Sequence, residues 1–218
     1  MTDKKAAPAL AAWIRDFLES QVGGSPANSL VEAPGGERAF DKPLVGFSAG
    51  ADPLYEEYRR HIGDFHWRPD DAFALAFPDS PASPAELTVV SWILPQTQAT
   101  KEENAREKIY CSRRWAGVRL HGERFNAQLR RELAQALCGQ GVPACAPMLL
   151  PQWKMETSPA HGFASTWSER HAAHAAGLGT FGLCDGLITP VGKAMRVGSV
   201  ILRARLEPTP RPYQDHRA

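Results

Sequence analysis

Residues 168–182 read SERHAAHAAGLGTFG and end in a Gly-x-Gly-x-x-Gly pattern made of Gly177, Gly179 and Gly182. Such a pattern indicates a dinucleotide-binding turn only when a strand precedes it, a helix follows it and an acidic residue comes about 20 residues later. Here the preceding residues are rich in alanine, which favours a helix. The following residues, 185–189, are typical of a turn and a short strand. The order helix, glycine loop, strand therefore argues against NAD.

The rest of the chain mixes predicted helices and strands. Residues 86–94 are almost continuously apolar and β-branched, which predicts a central strand covered on both faces. Asp52 followed by Pro53 is typical of the start of a helix. Further helices are predicted over 8–21, 69–77, 100–115, 121–137 and 168–176, and further strands over 44–47, 147–151 and 197–202. These elements predict an α+β fold with a mostly antiparallel or mixed sheet.

Composition and charge narrow the function classes. The chain has 218 residues, of which 43% are hydrophobic and 22% charged, as in an ordinary globular domain with one full core. A net charge of +1 creates no overall field that would attract DNA or an anionic membrane. No apolar run approaches the roughly 20 residues that span a bilayer. The first apolar stretch runs into Arg15 and Asp16, which favours an amphipathic helix over a signal peptide. We therefore predict a cytoplasmic protein without DNA or membrane partners.

The cysteines give no metal or disulfide signature. They form no Cys-x-x-Cys pair, and their spacing matches neither a zinc site nor an iron–sulfur site. We predict free buried thiols at all four positions, Cys111, Cys138, Cys145 and Cys184. His171 and His174 lie three residues apart on a predicted helix and would face one site. The sequence offers them no evident third ligand, so we predict no bound metal.

The segment around the glycine pattern resembles the signature of the epoxyqueuosine reductases and their relatives. That signature is a Glu-Arg dipeptide (here Glu169 and Arg170), about six residues, Ala-Gly-Leu-Gly (here residues 176–179) and one more glycine, here Gly182. Weaker matches are residues 44–47, 92–95 and 117–121. The resemblance covers about residues 40–210. This family consists of corrinoid and iron–sulfur reductases that are similar in fold to reductive dehalogenases.

The resemblance implies an α+β cobalamin-binding domain of the nitroreductase-like or reductive-dehalogenase-like type, with a mixed sheet flanked by helices. It assigns residues 1–207 to this domain and residues 208–218 to a Pro-rich linker toward a ferredoxin domain that lies outside this chain. In the family that domain holds two [4Fe–4S] clusters, which pass electrons to cobalt. Reduced cobalt then removes the epoxide oxygen of a modified nucleoside in the tRNA queuosine pathway, while an acid delivers a proton. The implied partners are a ferredoxin-like domain or protein as electron donor, and tRNA.

The resemblance also supplies candidate site residues. For catalysis we predict His161, Arg170 and His171. For cofactor binding we predict His121, Glu169, Gly177, Leu178, Gly179, Gly182 and Arg196. Phe163 stands where the family carries its proton-donating aspartate, and we expect the nearby His161 to replace that acid. Leu120 and Leu183 also depart from the family, which has tyrosine and lysine at those places.

Other interpretations stay open at this point. The three glycines would also suit a helix C-terminus packed on a strand. Glu169 would suit the first turn of a helix, where the helix dipole favours an acidic residue. The missing aspartate and the missing cluster ligands favour a second hypothesis, a non-catalytic cofactor-binding or interaction domain that keeps the fold. A flavin-dependent nitroreductase-like enzyme is a third, weaker hypothesis.

Overall fold

A computed structural model describes residues 6–32 and 36–213 of the chain. The helices are α1 Ala6–Gly24, α2 Pro53–Ile62, α3 Pro69–Ala76, α4 Gln98–Arg106, α5 Arg113–Gly117, α6 Glu123–Gly139 and α7 Glu169–Ala175. The strands are β1 Leu44–Ala49, β2 Thr88–Pro95, β3 Ala144–Cys145, β4 Met155–Ser158, β5 Gly162–Ser165, β6 Thr180–Phe181, β7 Leu187–Ile188 and β8 Met195–Leu202. Two 3₁₀ turns, Pro84–Glu86 and Pro147–Leu149, and a π-helical turn, Val118–Gly122, lie between them. The predicted α+β class is confirmed.

The central sheet has the strand order β1-β2-β8-β3, and every neighbouring pair in it is antiparallel. The longest ladder pairs β2 with β8, from Thr88 opposite Leu202 to Pro95 opposite Met195. Every residue of β2 is buried, which confirms the predicted central strand. Because successive side chains of a strand point to opposite faces, β2 contributes to two cores. Val90 packs with α1 and α6 on one face, and Val89 packs with α2, α3 and α7 on the other.

The helix predicted over residues 100–115 is wrong, because the chain breaks between α4 and α5. The Ser112 hydroxyl accepts a hydrogen bond from the Trp115 N–H and so caps the start of α5. The Asn104 side chain accepts the Ser112 N–H at 3.0 Å, which holds the intervening loop against α4. The predicted helix start at His121 is also wrong, since that residue lies inside the π-helical turn that joins α5 to α6.

The short strand predicted over residues 147–151 is wrong as well. Pro147 has no N–H to donate to a ladder, and it opens a 3₁₀ turn. The strand β3 precedes it and pairs with the end of β8. All four cysteines are free thiols, but Cys111, Cys138 and Cys184 are exposed, so the prediction of burial is correct for Cys145 alone.

Two hairpins lie outside the central sheet. The order α7, glycine loop, strand is confirmed, and the strand that follows the loop, β6, forms a hairpin with β7. The hairpin of β4 with β5 was not predicted from the sequence. Among the described residues, no helix is long and apolar enough to cross a membrane.

The segment 208–213, predicted as part of a linker, runs along the edge of the sheet. The Thr209 N–H donates to the Phe47 carbonyl at 2.9 Å, and the Phe47 N–H donates to the Thr209 hydroxyl at 2.9 Å. The final predicted linker residues, 214–218, lie outside the described residues.

Candidate functional site: a cleft lined by histidines

A cleft of about 1160 Å³ lies on the face of the sheet that α7 covers. Its walls are α2, the β4–β5 hairpin, the start of α7, the β6–β7 hairpin and the end of the described chain. We call it the histidine cleft, after the lining residues His61, His66, His161, His171 and His174. These histidines come from three separate parts of the sequence, so the fold rather than a local motif brings them together.

The sequence of α7 explains why two of these histidines face the cleft. Ala172, Ala173 and Ala175 are fully or almost fully buried against the sheet, and their small side chains let the helix lie close to it. His171 and His174 are three residues apart and therefore share the opposite face. The Ser168 hydroxyl, just before the helix, is hydrogen-bonded to His171 Nδ1 at 2.8 Å and fixes the orientation of that ring.

His171 lies in a largely aromatic environment. Its ring centroid is 4.6 Å from that of Tyr58, 4.8 Å from Phe181 and 5.9 Å from His66. Burial lowers the pKa of His171 well below the usual range for histidine, and the neighbouring His66 and Arg170 lower it further. This shift favours the neutral imidazole, which has one nitrogen that donates and one that accepts a hydrogen bond.

His66 is another buried histidine of the cleft, and no sequence pattern pointed to it. Its Nδ1 lies 2.9 Å from the Ser165 carbonyl oxygen. Because a carbonyl oxygen only accepts, Nδ1 must carry the proton, and Nε2 is left as an acceptor. Burial lowers the pKa of His66, and the hydrogen bond to Ser165 opposes this effect only in part.

His174 lies between two tyrosines at the floor of the cleft. Its Nδ1 is hydrogen-bonded to the Tyr58 hydroxyl at 2.6 Å. On the other side the Tyr213 ring stacks on it, with centroids 5.1 Å apart and an interplanar angle of 18°. Burial raises the pKa of Tyr58 and raises that of Tyr213 to about 12, so both phenols keep their protons. Neither tyrosine belonged to the predicted site.

All three residues predicted as catalytic line this cleft. His161 is exposed at the turn of the β4–β5 hairpin, and His171 lies deeper. Arg170 is exposed and donates from Nη1 to the Asp185 carbonyl oxygen at 2.5 Å. Within the described part of the chain, Arg170 forms no ion pair, so its positive charge is available at the rim.

Two apolar side chains stand at the mouth of the cleft. Phe163 is 80% exposed on the β4–β5 hairpin, and Leu183 is fully exposed on the β6–β7 hairpin. Both positions depart from the family signature. Exposed large apolar side chains can pack against the apolar surface of a ligand. Phe163 and Leu183 therefore offer such a contact on the two hairpins at the mouth of the cleft.

The residues predicted to bind a cofactor are distributed over several places. Gly182 lines the histidine cleft. Gly177 and Leu178 line a smaller pocket of about 400 Å³, together with Arg15 and Lys42. Of the other predicted residues, Glu169 and Gly179 are buried, His121 lies in the π-helical turn, and Arg196 contacts that turn. The cofactor set does not converge on one surface in the way that the catalytic set does.

The space beside each glycine of the loop is filled by other residues of this chain. A Cβ atom on Gly179 would overlap the Ile188 carbonyl oxygen. One on Gly177, whose φ is +75°, would lie 2.8 Å from the Pro210 carbonyl oxygen. One on Gly182 would lie 2.7 Å from the Ile188 side chain. This internal packing accounts for the glycines without a ligand, and a cofactor contact at the loop stays a prediction.

Glu169 is buried in an ion-pair network. Its Oε1 accepts from Arg130 Nε at 2.9 Å, and the side chains of Arg130 and Glu169 are only 3% and 9% exposed. Arg130 also donates to Glu123 at 3.0 Å and to the Val197 carbonyl at 2.9 Å. Burial raises the pKa of Glu169, and the Arg130 guanidinium opposes that rise. The network joins α6, α7 and β8, so Glu169 has a structural partner whether or not it contacts a cofactor.

His121 and Arg196 are not among the residues that line the cleft. His121 is half-buried in the π-helical turn. Arg196 donates from Nη2 to the Arg119 carbonyl oxygen of that turn at 3.3 Å and lies 3.5 Å from Glu123. No group of three or more His, Cys, Asp or Glu residues in the described ranges is arranged to hold a metal ion.

Comparison with known proteins finds no matching family model and no matching curated protein. Solved structures of epoxyqueuosine reductases do match. The one from Bacillus subtilis has a TM-score of 0.44 and 14% identity, and the match covers 96% of this chain and 49% of that one. A complex of epoxyqueuosine reductase with an epoxyqueuosine-modified tRNA-Tyr stem loop has a TM-score of 0.42 and 14% identity, and the match covers 96% of this chain and 49% of that one. The epoxyqueuosine reductase from Streptococcus thermophilus has a TM-score of 0.40 and 13% identity, and the match covers 78% of this chain and 45% of that one. The chain therefore spans about half the length of these structures.

Proposed function

We propose that this chain is an oxidoreductase module resembling epoxyqueuosine reductase, and that its reaction takes place in the histidine cleft. The observation that carries the proposal is that His161, Arg170 and His171, the three residues predicted as catalytic, line one large cleft. An exposed imidazole, a neutral imidazole held in a desolvated wall and an exposed guanidinium together offer a proton donor and two hydrogen-bonding groups for a polar substrate.

The donor chemistry of the cleft suits cobalamin, the cofactor that the resemblance implies. The volume of about 1160 Å³ exceeds the roughly 300–1,000 Å³ of ordinary small-molecule pockets. Phe163, which is exposed, and Phe181, which is partly exposed, offer ring surfaces, and Arg170 offers N–H donors for peripheral amides. These residues, rather than the closed faces of Gly177 and Gly179, would hold the group. When bound, cobalamin would supply the reducing centre, with electrons from [4Fe–4S] clusters outside this chain.

The side chains of the cleft would orient the substrate, deliver a proton and exclude water. Arg170 would orient an oxygen-bearing substrate through its exposed guanidinium. His161, exposed on its hairpin, would deliver a proton to the departing oxygen. His171, kept neutral by burial, would hold a hydrogen bond to the substrate without adding charge. Phe163 and Leu183 would cover the mouth and exclude water around the reacting group.

The test is binding of hydroxocobalamin to the purified chain under reducing conditions, followed by gel filtration. We expect corrin absorbance to elute with the protein. Arg170→Gln should weaken binding about tenfold or more, because a hydrogen bond from a charged group contributes about 1.5–3 kcal/mol. Arg113→Gln, an exposed arginine outside the cleft, is the matched control and should bind as the wild type does. Absence of corrin absorbance in the protein peak would overturn the proposal.

A second candidate is a non-catalytic domain that binds a cofactor or partner. It is favoured by Phe163, which occupies the place of the family's acid, and by the closed glycine faces. Supplying reduced ferredoxin and RNA that contains epoxyqueuosine separates the two candidates, since only the enzyme consumes the epoxide. Yellow protein with flavin absorbance as isolated would instead support the nitroreductase-like hypothesis.

A further inference from the structure

Residues 208–213 form a wall of the histidine cleft, although their sequence, rich in proline, is typical of a linker. We call this segment the C-terminal strap. Two of its residues, Arg211 and Tyr213, line the cleft. The strap is held at its start by the two hydrogen bonds between Thr209 and Phe47 of β1. It then passes over the glycine loop, where the Pro210 carbonyl occupies the space that the absent Gly177 side chain leaves.

Arg211 connects two of the elements that line the cleft, the helices α2 and α7. Its Nη1 lies 2.5 Å from Asp52 Oδ2 and 3.3 Å from the Ala175 carbonyl oxygen. Asp52 is the N-cap of α2, where its other carboxylate oxygen accepts the Leu54 N–H. Ala175 is the last residue of α7. The strap therefore links the start of α2 to the end of α7 through one guanidinium.

Tyr213 contacts α7 directly and is connected to α2 through His174. Its hydroxyl donates to the His174 backbone carbonyl at 2.6 Å, and its ring stacks on the His174 imidazole. The opposite contact of that imidazole is the hydrogen bond to the Tyr58 hydroxyl of α2. The His174 ring is thus held between a stacked phenol and a hydrogen-bonded phenol, and its rotation would break both contacts.

We propose that Tyr213 is a positioning residue of the histidine cleft. It holds the His174 ring in the orientation that pairs with Tyr58, and so fixes the Tyr58 hydroxyl in the cleft wall. The inference rests on the proposed function only in taking this cleft as the reaction site. Its physical content is a single His174 tautomer and orientation that depend on the strap.

The direct test is ¹⁵N NMR of the histidine rings in the full chain near pH 8. In the wild type we expect one protonated and one unprotonated nitrogen for His174, with well-separated shifts. Tyr213→Leu removes the stacked ring, and aromatic stacking accounts for about a 2- to 10-fold preference. The two His174 shifts should therefore move toward each other. Tyr213→Phe keeps the ring and should keep most of the separation. Tyr110→Leu, an exposed tyrosine elsewhere, should change nothing.

Carbethoxylation with diethyl pyrocarbonate gives a second readout that does not need complete spectra. In the wild type and Tyr213→Phe, His174 should react far more slowly than the exposed His161, because it is 2% exposed. In Tyr213→Leu its rate should approach that of His161, while the His161 rate stays constant. If His174 keeps both its separated shifts and its slow rate in Tyr213→Leu, the proposal is wrong. Because neither readout uses cobalamin, failure of cofactor binding leaves this test intact.

Discussion

The ion pair between Arg130 and Glu169 allows a quantitative test of how α6 is joined to α7. Arg130→Met would leave Glu169 buried without the guanidinium that compensates it, and loss of one partner of a buried pair costs about 3–5 kcal/mol. Glu169→Gln keeps an acceptor oxygen for Arg130, which also retains Glu123 at 3.0 Å. We therefore expect a smaller loss of about 1–3 kcal/mol for this variant.

The double variant, Arg130→Met with Glu169→Gln, leaves neither partner of this pair as a buried charge without its counter-charge. Its loss should be smaller than the sum of the two single losses by about 1–3 kcal/mol. The assay is urea unfolding of the wild type and the three variants, with the free energy of unfolding taken from the midpoint and slope of each curve. A domain of this kind has about 5–15 kcal/mol of stability, so the effects fall within range.

Two results would refute this reasoning. Additivity of the single losses to within about 0.5 kcal/mol would mean that the two side chains do not interact in the folded protein. An unchanged stability of Glu169→Gln together with weaker cobalamin binding would mean that Glu169 acts on the cofactor rather than on the fold. Either result would require a different account of this segment.

Three further predictions follow from the cleft and its hairpins. Burial lowers the pKa of His66 and His171, so as the pH falls the unfolded chain binds protons at these residues before the folded chain does. The free energy of unfolding should therefore decrease below about pH 6.5, by up to about 1.4 kcal/mol per pH unit for each histidine. Lys193 Nζ lies 2.8 Å from Cys184 Sγ and lowers its pKa, so Lys193→Gln should slow alkylation of Cys184 by iodoacetamide at pH 7. Gly179→Ala should cost about 1–3 kcal/mol in urea unfolding, because its Cβ would overlap a backbone oxygen.

The chain supplies a control for each of these measurements. His171→Gln removes one of the two histidines whose pKa is lowered, so it should reduce the slope of stability against pH. Cys111 is also exposed, and its alkylation should not respond to Lys193→Gln. Gly139→Ala meets no atom within 4 Å and lies in α6, so it should be neutral or stabilising. Equal costs for the two glycine variants would contradict the packing argument.

The parts of the fold that were predictable are those with a local cause. The β2 strand is apolar along its length because both faces are covered, and this leaves a continuous signal. The start of α2 follows from Asp52 and Pro53, since an N-cap and a proline at N1 each act within one turn. The helix predicted over residues 100–115 failed because its composition suits a helix throughout, while the break depends on contacts of Ser112 with Asn104.

The site was predictable only near the glycine signature. His171 and Arg170 are predictable because the motif lies within a few residues of them. Tyr58 and His174 are 116 residues apart, and Tyr213 joins them from the far end of the chain, so no periodicity or spacing connects the three. His66 likewise depends on the carbonyl of Ser165. Contacts between distant side chains leave no local pattern, and only the folded chain brings them together.

The position of β8 in the sheet bears on the order in which the molecule assembles. This strand is the last of the described chain, yet it lies between β2 and β3 and supplies the longest ladder. During synthesis, β2 would wait for about 100 further residues with one edge unpaired, and closing a loop of that length is slow. We therefore expect late cooperative folding, and we expect chains that stop before Met195 to aggregate through the open β2 edge.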